Sequence, residues 1–89
     1  MDSVVVHPRV MRRHPNLSER DVLAAWKNAV DSTPRIGSDP LQYIVLGFDA
    51  KGRLVEMVAI RLGVRQWLVF HAQTPPSDAT YREFGFERR

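Results

Sequence analysis

Glu56 and His71 are the residues whose types most directly suggest proton transfer, because a carboxylate can orient an imidazole and raise its basicity. Cleavage of RNA by its own 2′-hydroxyl needs a base for that proton, an acid for the leaving 5′-oxygen and a cation for the phosphate charge. None of these roles calls for a metal or a cofactor, and none is expected here. Arg12, Arg13, His14 and Arg61 are candidate RNA- and phosphate-binding residues, the first three in one basic segment. Trp67 offers a ring on which an unpaired base could stack. Each residue also has a structural reading: an ion pair between neighbouring strands for Glu56 and His71, core packing for Trp67, and solvated charge for the arginines.

Turn chemistry is what would bring Glu56 and His71 together. Asp49-Ala50-Lys51-Gly52 has Asp at the first and Gly at the fourth position of a type I turn, with Gly closing a three-residue hairpin loop as a bulge. That register sets Phe48 against Leu54, Leu46 against Glu56 and Ile44 against Val58. Gly63-Val64 reads as a type II′ turn, which sets Ile60 against Trp67, Val58 against Val69 and Glu56 against His71. A three-residue second loop would instead set Glu56 against Ala72. Alternation then sorts two faces. One is apolar, with Tyr43, Val45, Gly47, Val55, Met57, Ala59, Leu68, Phe70 and Ala72, and its small residues leave room for a helix. The other mixes apolar residues with Glu56, Trp67 and His71, as a groove or partner surface would.

The remaining elements follow from caps and breakers. Val4 to Val6 can add a short strand, and Pro8 can open one or two helical turns over Arg9 to His14 that Pro15 stops. Ser18 is an N-cap with Asp21 three residues on, close to a capping box. Val22, Leu23, Trp26, Ala29 and Val30 recur at helical spacing, so the main helix is expected to run to about Ser32. Thr33 to Pro40 reads as a connector and Thr74-Pro75-Pro76 as the end of the strands. Ser77 would cap a last helix over Asp78 to Phe84, with Gly85 as its stop and Phe86 folding back. The expected fold is α+β in a single domain: one main helix, plus short flanking helices, on one face of an antiparallel meander of three to four strands.

Composition narrows the function classes. A hydrophobic fraction of 44% suits a folded domain, and 89 residues allow only a modest core. The chain has no cysteine, which removes disulfides, thiol nucleophiles and thiolate metal sites. Its 3 histidines lack metal-ligand spacing, and no P-loop, dinucleotide fingerprint or HExxH occurs. No apolar run approaches the roughly 20 residues of a membrane span, and the acidic start does not read as a signal peptide, so a cytoplasmic location is expected. Thirteen Lys and Arg against 10 acids give a net charge of +3. Basic residues gather at Arg9, Arg12 and Arg13 and at Arg82, Arg88 and Arg89, and RNA phosphate is the leading anionic partner.

The run Arg12-Arg13-His14-Pro15-Asn16-Leu17-Ser18-Glu19-Arg20-Asp21-Val22 resembles the segment of BrnT-like toxins in which a basic residue and His precede a helix beginning at Ser. These toxins belong to the wider RelE-like group of small ribonucleases in bacterial toxin-antitoxin pairs. The order of helix, connector and three strands is similar through residue 74. The resemblance implies a RelE-like fold and a basic chain that cleaves RNA and is held inactive by a cognate antitoxin. Arg13-His14-Pro15 stands where members carry Lys-His-Gly, and His71-Ala72-Gln73-Thr74 lacks the arginine they place after the last strand. The alternatives are a non-catalytic module binding protein or nucleic acid through the mixed face, and an accessory protein that forms a homodimer through that face or an edge strand.

Overall fold

The computed structural model describes residues 3–85. Five strands, β1 (Ser3–Val6), β2 (Ala29–Arg35), β3 (Gln42–Phe48), β4 (Leu54–Gly63) and β5 (Gln66–Gln73), form one sheet in the order β1-β5-β4-β3-β2. β1 runs parallel to β5 and the other pairs are antiparallel, so the sheet is mixed. Three helices accompany it: α1 (Arg9–Arg13), α2 (Glu19–Lys27) and α3 (Asp78–Glu83). The α+β class stands, but the expectation of one main helix on a meander of three to four strands is corrected. Residues read as the end of a helix and a connector form an edge strand, and helices occupy both faces.

Ser18 fixes the start of α2, since its hydroxyl accepts from Asp21 N–H while the Asp21 carboxylate accepts from Ser18 N–H. α2 stops at Lys27 rather than near Ser32, and Ala29 and Val30 pass into β2, with Val30 at a bulge against β3. Pro34 is tolerated because β2 is an edge strand. Gly47 lets α2 approach β3, for a Cβ there would overlap the Ala25 carbonyl oxygen. Between them Val10, Leu17, Val22, Ala25, Met57 and Val69 make a buried core.

α3 lies against the opposite face. Ser77 caps it, and Gly85 ends it with a φ of 78°. Thr80 on this helix donates to Glu56 on β4, and Glu83 pairs with Arg35 on β2, so α3 is tied down at two points of the sheet. Ile44, Leu46 and Val58 on that face are buried. The expected contact of Phe86 falls outside the described residues, as do Arg88 and Arg89.

Candidate functional site

The first hairpin has the register that its turn dictates: Phe48 faces Leu54, Leu46 faces Glu56 and Ile44 faces Val58. Gly52 takes φ 77°, while Asp49 N–H donates to Arg53 O and Asp49 O accepts from Gly52 N–H. Asp49 and Asp21 are both buried and share Arg53, whose Nε lies 2.7 Å from Asp49 Oδ2 and whose second terminal nitrogen lies 3.2 Å from Asp21 Oδ2. This network pins the turn to the start of α2.

The second hairpin is displaced from expectation. Its two-residue turn is Val64-Arg65, and Gly63 pairs with Gln66 as the last residue of β4. No positive φ occurs at Gly63, so the type II′ geometry is absent. Irregularities at Leu62 and Phe70 then change the register twice, so that Arg61 faces Trp67, Val58 faces His71 and Glu56 faces Gln73. Around Trp67 the displacement is odd, which turns its side chain onto the α2 face. At Glu56 it is even, which keeps Glu56 and His71 on one face as diagonal neighbours.

Glu56 and His71 therefore meet, with His71 Nε2 2.8 Å from Glu56 Oε2. The other oxygen, Oε1, accepts from Ser77 N–H and from the Thr80 hydroxyl, each at 2.7 Å. Burial alone would raise the Glu56 pKa, but these three hydrogen bonds and the adjacent imidazole hold it down at about 2. An ionised carboxylate only accepts, so Nε2 of His71 carries the proton and a neutral ring leaves Nδ1 as its lone pair. Nδ1 makes no hydrogen bond among the described residues, and 30% of the side chain is exposed.

α1 completes this corner. β1 ends where His7 N–H bonds to Val69 O, and Arg9 then donates from Nε to Phe70 O at the edge of β5. His7 serves the helix entry, its Nδ1 accepting from Arg9 N–H. His14 closes α1, and its ring meets that of His71 edge to face with centroids 5.7 Å apart. Arg12 and Arg13 are exposed, with no side-chain hydrogen bond or ion pair to other described residues.

No protein-family model, curated protein sequence or solved structure matches this chain. His14, Glu56 and His71 come together, with Arg12 and Arg13 in the helix that delivers His14. Arg61 and Trp67 do not join them. Trp67 packs in the core with Trp26 and Tyr43, and the Arg61 guanidinium lies 4.8 Å from its ring centroid. The placement of Trp67 on the Glu56 face is thus corrected, the cause being the shifted turn and the irregularity at Leu62, whereas the irregularity at Phe70 is what keeps His71 on the Glu56 face. Thr80 is a site residue that sequence reasoning missed. Nothing in the run Asp78-Ala79-Thr80 signals a buried hydroxyl until α3 is seen on the sheet. Among the described residues no three His, Asp or Glu side chains gather to hold a metal ion, and no helix is long and apolar enough to cross a membrane.

Proposed function

We propose that the chain is a small endoribonuclease acting through His71 and His14. The observation that carries this reading is the contact of the two imidazoles at a partly open corner, one of them oriented by a buried, ionised carboxylate. His71 Nδ1 takes the proton from a ribose 2′-hydroxyl, and the freed oxygen attacks the adjacent phosphorus. The bond to the 5′-oxygen breaks, and His14 in its protonated form gives that oxygen a proton. The products are a 2′,3′-cyclic phosphate and a 5′-hydroxyl end. Arg12 and Arg13, exposed and unpaired among the described residues, offer positive charge to the phosphate. On the toxin resemblance, a cognate antitoxin would silence the chain by covering this basic corner.

The test is tightly induced expression of wild type, His71→Ala and His14→Ala in a bacterial host, with growth followed and RNA 5′ ends mapped. Growth arrest with new 5′-hydroxyl ends, reduced about 10²-fold or more in both variants, is expected of a paired base and acid. Equal cleavage by the variants, or intact RNA despite folded wild-type protein, rejects the mechanism.

One observation favours a second reading, a non-catalytic binding module. Glu56 is saturated by donors that also fasten α3 to the sheet, which a purely structural role explains. Under that reading RNA association would survive His71→Ala and weaken on loss of Arg12 and Arg13.

A further inference from the structure

The α2 face holds a pocket of about 360 Å³ to which no role has yet been given. It lies where α2 ends over β2, β3, β4 and β5, with Val45 beneath it and Ser32 and Arg61 at its sides. Its walls are aromatic: Trp67 meets Tyr43 edge to face at 5.2 Å and Trp26 at 5.5 Å with the planes tilted by 54°. Trp67 is buried, while Trp26 and Tyr43 are half-buried and keep part of each ring open. Arg61 is exposed, and its guanidinium rests over Trp67 without an acidic partner among the described residues. Stacking on Trp67 holds the planar fork in place at low entropic cost, with its N–H groups left to address an anion. The volume falls within the range of small-molecule sites. The fixed positive charge disfavours a cationic guest, and the rings favour a flat one.

We infer that this pocket binds a nucleotide, the base stacking on the open parts of Trp26 and Tyr43 beside the buried Trp67 and the phosphate engaging Arg61. The ligand chemistry is the same whether it is a free mononucleotide or an unpaired nucleotide of a strand. The site lies across the sheet from His14 and His71, so the two can be disabled separately, and the inference stands even if the chain cuts nothing.

The experiment titrates the full chain, carrying His71→Ala to prevent cleavage, with adenosine 5′-monophosphate, adenosine and a six-nucleotide oligoadenylate while following tryptophan fluorescence. Saturable quenching by the monophosphate is expected, with adenosine at least about tenfold weaker for want of a charge-assisted hydrogen bond. Arg61→Ala should raise the monophosphate Kd about tenfold. Ser32→Glu, which sets a negative charge at the opening, should abolish binding. Both positions are exposed, so the fold is retained, as circular dichroism would check. A tighter oligonucleotide assigns the site to a strand, and equal affinities assign it to a free nucleotide. Absence of saturable quenching, or an unchanged Kd in Arg61→Ala, overturns the inference. The cleavage assay is independent, because loss of activity in His14→Ala leaves the pocket intact.

Discussion

At the scale of single residues, Glu56 has two jobs that one substitution can separate. Gln keeps the shape and can still offer an oxygen to Ser77 N–H and the Thr80 hydroxyl, but its amide then turns toward His71. His71 can meet that amide only by accepting on Nε2, which moves its proton to Nδ1 and removes the base. Glu56→Gln is therefore expected to cost roughly 1–3 kcal/mol of stability and yet to abolish cleavage. The tautomer change is visible in ¹⁵N imidazole spectra. Thr80→Val removes one buried donor and leaves the His71 contact in place, so it should destabilise by a similar amount without altering the tautomer or the proton chemistry. If Thr80→Val lost activity as fully as Glu56→Gln while remaining folded, the tautomer argument would fail. The Glu56–His71 meeting was expected from a direct pairing that the second hairpin does not adopt, and Thr80 was not legible at all, because its role arises only once α3 crosses the sheet.

At the scale of elements, α2 is set by two residues of very different kind. Ser18→Ala removes the acceptor of Asp21 N–H and should cost about 1 kcal/mol, the usual loss of a cap. Gly47→Ala drives a Cβ into the Ala25 carbonyl, where both sides are backbone and neither can swing away. Its cost should reach the upper end of the roughly 1–3 kcal/mol seen on overpacking, or exceed it. Urea midpoints at unchanged slope are expected to fall further for Gly47→Ala than for Ser18→Ala, and the reverse order would contradict the close approach of α2 to β3. Ser18 and Asp21, the Asp49 to Gly52 turn, and Ser77 with Gly85 were readable because each acts within a few residues of itself. β2 was not. Ala29 and Val30 continue the helical spacing of α2, and only pairing with β3 draws them into a strand. The second hairpin was unreadable for a related reason, since its irregularities sit at Leu62 and Phe70, which carry no sequence mark of a bulge.

At the scale of the whole molecule, a sheet covered on both faces depends on carboxylates that tie its layers together. Asp21 and Asp49 fasten the first hairpin to α2, and Glu56 fastens α3 and β5 to β4. All three pKa values are lowered in the fold. Backbone N–H donation from Ser18 is the largest cause for Asp21. For Asp49, burial acts upward and is outweighed by donation from Arg53 and Lys51. For Glu56, the fall from 4.5 to about 2 links folding to pH. The unfolded chain takes up the proton first as pH falls, so this contribution is fully present above the unfolded pKa. It declines below about 4.5 and is gone once pH passes through about 2. A depression of that size corresponds to on the order of 3 kcal/mol, a large share of the stability of a small domain. Stability measured by urea unfolding should therefore drop steeply between roughly pH 5 and pH 2. Glu56→Gln, which cannot titrate, should start lower and lose less over the same interval, so that the two curves converge in acid. Parallel curves would place the acid sensitivity in groups other than Glu56, and would mean that α3 is held to the sheet by something other than the Glu56 carboxylate.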